Sequence, residues 1–272
     1  MHLKPLVGAD PELFLETEAT GAVRSAIERV GGSKRDPLPL GRDGFFVQED
    51  NVAAEFNIPP ARDVDQFVES IVWAKQRIAD NVAPMGLRLR IAASAVFPDY
   101  ELLDPKALSF GCDPDFNAWT GKMNPRPHAV DKNLRSCGGH IHVGLMEPSV
   151  KTKFTSRDFV RAMDLYLGVP SVLMDDDLHR RQLYGKAGAH RITPYGFEYR
   201  TLSNFWIKTP SLSRWAYEQT IRAYEWVLSY KDREMLDHLF NAIGTEIQKC
   251  IDESDVFICQ QRTPLTRKRR QR

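Results

Sequence analysis

Two histidines lie two residues apart in the segment SCGGHIHVG, residues 136–144, with glycines on either side. In an extended strand His140 and His142 would share one face, while Ile141 and Val143 would face the other. Glycines leave the backbone open to close approach by a ligand or a neighbouring strand. The segment therefore fits either a metal or phosphate site or a half-buried strand whose polar side chains face solvent.

Carboxylates show the same spacing of two in three other segments of the chain. The pairs are Asp10 and Glu12 in GADPELFL, Glu55 and Asn57 in AAEFNIPP, and Glu198 and Arg200 in GFEYRTL. Because alternate residues of a strand share a face, one sheet could present these side chains together with the two histidines. Carboxylates grouped with imidazole suit Mg²⁺ or Mn²⁺ better than a structural zinc.

Basic residues near these segments add a second kind of chemistry. A guanidinium can bond two phosphate oxygens at once, and a lysine adds a point charge. The candidates are Arg180, Arg181, Arg191, Arg200 and Lys186. Metal ligands beside arginines predict a site that handles phosphate.

The elements that must position these residues do not alternate regularly between strand and helix. Predicted strands are LFLET, entered from a turn at GADP, NVAAEFNI, LRLRIAASAVF, the His-x-His segment and GFEYRTLS. Predicted helices run from an N-cap at Asp63 to Asn81, from a cap at Ser156 through Tyr166, and over 212–230 and 233–250. The pattern favours an antiparallel α+β fold over a doubly wound one.

Five motifs in sequence order give the chain a family resemblance. They are GADPELFL, QEDNVAAEFNIPPA, CGGHIHVG, RRQLYGKAGAHR and TPYGFEYRTLSNFW, and they span about residues 6 to 206. Together they resemble the glutamine synthetase/glutamate–cysteine ligase-like carboxylate–amine ligases, above all the phage-associated COOH–NH2 ligases (amidoligases). The resemblance implies a funnel-shaped antiparallel sheet with helices packed on its outer face. It also implies ATP entering from one side and a carboxylate substrate from the other.

The resemblance assigns roles to particular residues. Mg²⁺ (or Mn²⁺) would be held by Glu12, Glu55, His140 and Glu198, with Asp10 a less direct ligand. Arg200, Arg191 and His142 would act on phosphate or substrate, and Arg180, Arg181, Lys186 and Arg191 would bind the nucleotide. Glu49 or Asp50 is an alternative source of the second-strand carboxylate. The implied reaction is ATP-dependent amide formation through an acyl phosphate, from small-molecule or peptide carboxylates and amines.

Three other functions remain open on the residues alone. A metal-dependent hydrolase would use similar ligands without nucleotide, a nucleic-acid-binding protein would use the basic C-terminus, and a ligase-like protein could bind without catalysis. Five of the last six residues are basic, against 37 Lys+Arg and 36 Asp+Glu in all. The remaining body is mildly acidic, which argues against nucleic acid as the main partner.

Composition sets the broad class of the chain. With 272 residues, 42% hydrophobic, it is expected to form a single domain over 1–262 followed by a disordered basic tail, 263–272. The four cysteines form no C-x-x-C pair and are predicted to be free thiols in a reducing compartment. The sequence shows no membrane-spanning run, and cytoplasmic location is expected, the host cytoplasm for a phage-encoded chain. Phe45 and Phe46 are predicted to lie in the core, and the GGSK loop is not a P-loop.

Overall fold

The computed structural model describes residues 4–108, 115–124, 131–145, 148–177 and 179–262. The strands are β1 (Leu6–Thr17), β2 (Val23–Arg24), β3 (Leu38–Pro39), β4 (Phe46–Asp50), β5 (Ala53–Ala61), β6 (Leu87–Arg90), β7 (Ser94–Val96), β8 (Phe116–Asn117), β9 (Leu134–Ser136), β10 (Gly139–Gly144), β11 (Ala189–Thr193) and β12 (Gly196–Tyr199). The α-helices are α1 (Val64–Val82), α2 (Pro105–Leu108), α3 (Pro148–Lys153), α4 (Ser156–Met163), α5 (Val169–Met174), α6 (His179–Leu183), α7 (Pro210–Leu228), α8 (Arg233–Asp252) and α9 (Val256–Arg262). The predicted basic tail and Cys112 lie outside the described residues.

A large antiparallel sheet organises the molecule. Its strand order is β3-β4-β5-β1-β10-β12-β11-β8, and β2 and β6 pair with the second half of β1. Strands β7 and β9 form a separate antiparallel pair. The predicted α+β class with an antiparallel sheet is confirmed.

One face of this sheet is apolar and carries the main hydrophobic core. It is formed by alternate residues of the central strands, Ala9 and Leu13, Ala54 and Phe56, Ile141 and Val143, and Phe197 and Tyr199. Helices α1, α4 and α7 pack on this face and on each other. The expectation of helices on the outer face is therefore confirmed, and the other face of the sheet is left for polar side chains.

Helix α1 begins as the sequence predicts. The side chain of Asp63 accepts a hydrogen bond from the backbone N–H of Gln66 at 2.9 Å, which is an N-cap. For α4 the predicted cap is off by one residue. Thr155 and Asp158 form a reciprocal capping box, and Ser156 is already the first helical residue.

Two strand predictions need correction. GADP is not a turn, because β1 starts at Leu6 and its ladder with β10 runs from Leu6–Gly144 to Pro11–Gly139. The segment LRLRIAASAVF is divided into β6, which pairs with β1, and β7, which pairs with β9. A hydrophobic pattern indicates an extended chain but does not show where it passes from one sheet to another.

The prediction of free thiols is wrong for two cysteines. Cys250 near the end of α8 and Cys259 on α9 form a disulfide, while Cys137 is free and buried. The two Cα atoms lie 5.5 Å apart because a turn between the helices brings them together. The spacing of the cysteines in the sequence does not reveal that turn. In the described part of the chain, every helix is too short or too polar to span a bilayer.

Candidate active site

The polar face of the sheet, on the side opposite the main core, carries rows of side chains that face one another across strands. Cross-strand partners in an antiparallel pair project to the same side of the sheet, so the register determines which side chains meet. The rows are Gln48–Glu55–Glu12, Asp10–His140 and Arg191–Glu198–His142. The structure thus places all five predicted metal-ligand candidates on one face of the four central strands.

Three of these side chains form a compact cluster. One ligand atom from each of Asp10, His142 and Glu198 lies within 4.8 Å of the other two, close enough to hold one metal ion. Nε2 of His142 is 2.9 Å from Oδ1 of Asp10, and Nδ1 of His142 is 2.7 Å from the Tyr195 hydroxyl. Burial raises the pKa of Asp10, but the imidazoles of His142 and His140 outweigh it and hold that pKa well below its ordinary value. The two imidazoles therefore favour the ionised form of Asp10.

His140 borders the cluster. Its Nδ1 is 3.5 Å from Oδ1 of Asp10 and 3.3 Å from Oε1 of Glu198. A Cβ atom added to Gly138 would lie 2.3 Å from Nε2 of His140, so the glycine makes room for this ring. The imidazole nitrogen of the cluster belongs to His142 and not to His140. The ligand role of His140 stays a prediction.

The guanidinium of Arg200 is buried between two carboxylates. Its Nε is 2.5 Å from Oδ1 of Asp115, and its Nη1 donates to Oε1 of Glu198. Nη1 of Arg191 reaches the other oxygen of Glu198 at 3.5 Å. Two arginines therefore flank one carboxylate of the cluster.

Glu12 and Glu55 face each other on neighbouring strands. Oε2 of Glu12 accepts the backbone N–H of Gly138 at 2.7 Å, and Oε2 of Glu55 accepts the amide of Gln48 at 2.8 Å. Burial raises the pKa of Glu12. Burial, followed by the charges of Asp10, Glu12 and Asp50, raises the pKa of Glu55 well above its ordinary value.

The close spacing of these buried carboxylates bears on the prediction that the site binds a metal ion. Closely spaced carboxylates repel one another unless a cation lies between them. Oxygen donors with an imidazole nitrogen are a donor set that accepts Mg²⁺ or Mn²⁺. The residues present therefore fit a divalent cation.

Of Glu49 and Asp50, the two alternative carboxylates predicted for the second strand, only one lies at the candidate site. Asp50 lines the cavity over the polar face. Glu49 pairs with Ala54 on the other side of the strand and bonds the Lys106 ammonium at 3.1 Å and the Glu28 N–H at 2.7 Å. Asp50, not Glu49, lies on the face of the candidate site.

A cavity of about 570 Å³ lies over the polar face. Its lining includes charged residues and His140 of the candidate site, together with Phe46, Asn57 and prolines; the charged ones named here are Asp10, Glu55, Arg191 and Arg200. The prediction that Phe46 belongs to the core is wrong, because it shares the face of Gln48, whereas Phe45 is buried in the main core. Lys34 of the GGSK loop lines the same cavity.

Three predicted nucleotide-binding residues lie elsewhere. Arg180 lines a separate cavity of about 60 Å³ and donates to the backbone carbonyl of Thr201 at 3.2 Å. Nη2 of Arg181 donates to Oγ of Ser171 at 2.9 Å within the fold. Lys186 lies 3.5 Å from the carbonyl of Asp252, at the end of α8. The geometry gives Arg181 and Lys186 no contact with the larger cavity, and their roles stay predictions.

Sequence reasoning missed three residues of the site. Gln48 had a signal, because FVQED has the same alternation as the other strands. Tyr195 lies in a short turn between β11 and β12, and Asp115 directly precedes β8. Neither of these two residues belongs to a periodic pattern that could have indicated its position.

Comparison with known proteins gives one family match. Residues 130–242 match the family described as phage phiEco32-like COOH.NH2 ligase-type 2. A solved structure described as a novel glutamine synthase homolog is 13% identical with a TM-score of 0.42, covering 97% of this chain and 68% of that one. No protein among the curated sequences matches.

The matched region begins before β9 and includes β10, β11 and β12. It therefore contains His140, His142, Arg191, Glu198 and Arg200, the half of the polar face that carries the imidazoles and arginines. The family resemblance found in the motifs is confirmed over this region: residues 130–242 are similar to the phage phiEco32-like COOH–NH2 ligases.

Proposed function

We propose that this protein is an ATP-dependent carboxylate–amine ligase that uses Mg²⁺ or Mn²⁺. The observation that carries the proposal is the cluster of Asp10, His142 and Glu198, flanked by two arginines that line a large cavity together with Asp10. The family match over residues 130–242 supports the same chemistry.

The charges of the chain suit such a reaction. A carboxylate and a triphosphate repel each other, and they meet only where positive charge compensates both. Asp10, Glu12, Glu55, His140 and Glu198 would hold the divalent cation, which when bound would supply that charge. Arg191 and Arg200 would face the phosphate oxygens, on which negative charge grows during transfer. On the geometry of the cluster, His142, held by Tyr195, would be a further ligand of the cation rather than a group that orients phosphate or the incoming amine.

The proposed reaction has two steps. A carboxylate oxygen of the substrate attacks the terminal phosphorus of ATP, the bond to the bridging oxygen breaks, and ADP leaves. The amine nitrogen then attacks the acyl carbon, inorganic phosphate leaves, and the nitrogen gives up its proton. The products are an amide, ADP and phosphate.

The test is a thermal melt with Mg²⁺ alone and with Mg²⁺ plus a non-hydrolysable ATP analogue. A ligand at a hundred times its Kd stabilises the folded state by about 2.7 kcal/mol, a rise of roughly 5–10 °C in Tm for a chain of this size. We expect this shift in the wild type and its loss in Glu198→Ala. Glu234→Ala, at an exposed glutamate on α8, is the matched control and should keep the shift.

Two results would contradict the proposal in different ways. A full shift in Glu198→Ala would show that the ligands are assigned wrongly. No shift in the wild type at millimolar nucleotide, together with metal-dependent hydrolysis without ATP, would show a hydrolase.

A further inference from the structure

Phe46 is out of place for a hydrophobic residue. It projects from the polar face beside Gln48 and is only half-buried. None of the three hydrophobic clusters formed by the described residues includes it. An aromatic ring in the wall of a cavity offers a flat face on which a ligand can stack.

Both apolar and polar residues line the cavity together with Phe46. Pro37, Gly44 and Pro59 line the cavity beside it. A Cβ atom on Gly44 would lie 3.0 Å from Cβ of Pro59, so the backbone at Gly44 packs closely against Pro59. Asn57 is the cross-strand partner of Phe46 and lines the same cavity.

The amide of Asn57 makes no side-chain hydrogen bond with any of the residues that the structure describes. An amide offers one acceptor and a donor side by side. Adenine offers the complementary pair along its edge, which is why asparagine pairs with it in two bonds. A ring for stacking next to such an amide fits a purine base.

The distance from this wall to the cluster fits a nucleotide. Phe46 on β4 faces Asn57 on β5, and the next residue, Ile58, faces Ala9 on β1, beside Asp10. Neighbouring strands are about 4.8 Å apart, and β4 is two strand spacings away from β1. Phe46 and Asp10 are therefore separated by roughly 10 Å across the sheet. A ribose and a chain of three phosphates bridge a gap of this order between a base and a reacting terminal phosphate.

We propose that Phe46 and Asn57 form the base subsite of the nucleotide, with adenine stacked on the ring and paired with the amide. The inference rests on the proposed ATP-dependent function and adds the location and chemistry of base recognition.

Calorimetric titration of the full chain with two probes in the presence of Mg²⁺ tests this subsite. One probe is the non-hydrolysable ATP analogue, and the other is inorganic tripolyphosphate, which has no base. Phe46→Ala should weaken binding of the analogue by about tenfold or more and leave the affinity for tripolyphosphate unchanged. Phe46→Tyr should retain the affinity of the wild type, because it keeps a ring for stacking. Asn57→Ala should reduce the preference for the ATP analogue over its GTP counterpart.

The control is Phe257→Ala, at an exposed aromatic residue on α9, which should change neither affinity. Unchanged binding of the analogue in Phe46→Ala would overturn the subsite and leave the proposed function standing. An equal loss for both probes would also overturn it, since the ring would then act on the fold. Wild type that binds neither probe would overturn the proposed function, and the base subsite with it.

Discussion

At the scale of single residues, Arg200 controls the charge of the candidate site. Its guanidinium contacts Asp115 on one side and Glu198 on the other, and all three side chains are largely buried. A buried guanidinium needs such partners because an uncompensated charge in the interior is costly. Asp115 therefore takes part of the positive charge that would otherwise compete with a metal ion for Glu198.

We predict that Asp115→Asn weakens binding of Mn²⁺, used as a probe for the cation, by roughly tenfold. Without the Asp115 charge, Arg200 pairs more fully with Glu198, and the negative potential of the site also falls. Calorimetric titration with Mn²⁺ measures the change, with Asp65→Asn on the exposed surface of α1 as the control. Equal or tighter binding in Asp115→Asn would refute this role.

The residues of the site were predictable to the extent that they follow strand alternation. A spacing of two predicted that His140 and His142 share a face, and that Glu198 and Arg200 do so on a neighbouring strand. The sequence could not decide which imidazole joins the cluster, because that depends on how the rings turn within the register. Phe46 was misplaced because its residue type suggested the core, although its alternation with Gln48 indicated the polar face.

At the scale of elements, strand β12 is held from behind by the helices. Tyr199 projects to the apolar face between two site residues, and its hydroxyl donates to Oδ1 of Asp164 at 2.7 Å. Asp164 begins a π-helical turn between α4 and α5, and its Oδ2 accepts the Trp119 indole N–H and the Gly188 N–H, each at 2.6 Å. A Cβ atom on Gly168, at the end of this turn, would lie 2.8 Å from the Tyr199 hydroxyl. The turn thus fixes β12, which carries Glu198 and leads directly into Arg200.

This contact predicts a pH dependence of stability. Burial raises the pKa of Asp164 from 3.8 to about 7 despite its hydrogen bonds. The folded protein therefore keeps a proton here between pH 3.8 and about 7 that the unfolded chain has released. The stability from this proton is fully present below that range and is lost as the pH rises through about 7. The loss amounts to up to about 4 kcal/mol, at 1.36 kcal/mol per unit of pKa.

Asp164→Asn removes the titrating group and keeps its shape. The amide can donate to the hydroxyls of Tyr199 and Thr201 and accept from Trp119 and Gly188. We expect the free energy of unfolding of the wild type, relative to that of the variant, to decrease as the pH rises from 4.5 to 7.5. Urea unfolding of both proteins across this range measures it, and a constant difference would contradict the assignment.

Elements with local start signals were predictable, and those defined by long-range pairing were not. Helix α1 follows its N-cap, and the two long C-terminal helices start and end within two residues of the predicted limits. The first half of β1 was missed because Asp10 and Pro11 are typical turn residues. Their pairing with β5 and β10 overrides that local preference.

At the scale of the whole molecule, the C-terminal helices support the end of the sheet that carries β11. A hydrophobic cluster joins Val169 of α5 and Ala187 to Ile247, Ile251 and Cys259 on α8 and α9. The backbone N–H of Ala187 also donates to the carboxylate of Asp252 at 2.7 Å. Because Ala187 lies two residues before β11, this cluster connects the C-terminal helices to the strand of Arg191.

The disulfide between Cys250 and Cys259 closes this support. A cross-link over a loop of nine residues restricts the unfolded chain and stabilises the folded one by about 2–3 kcal/mol. We predict that the double variant Cys250→Ser/Cys259→Ser loses stability of this size in urea unfolding, and that reductant lowers the wild type to a similar level without further effect on the variant.

Thiol counting gives an independent check of the same bond. Ellman titration of the unfolded wild type should show two more thiols after reduction than before, and the double variant should show no such increase. An equal thiol count before and after reduction would show that both cysteines are free. The stability of the C-terminal support would then come from packing of the buried side chains alone, and Ala187 would be held in place by the helices without a covalent link between α8 and α9.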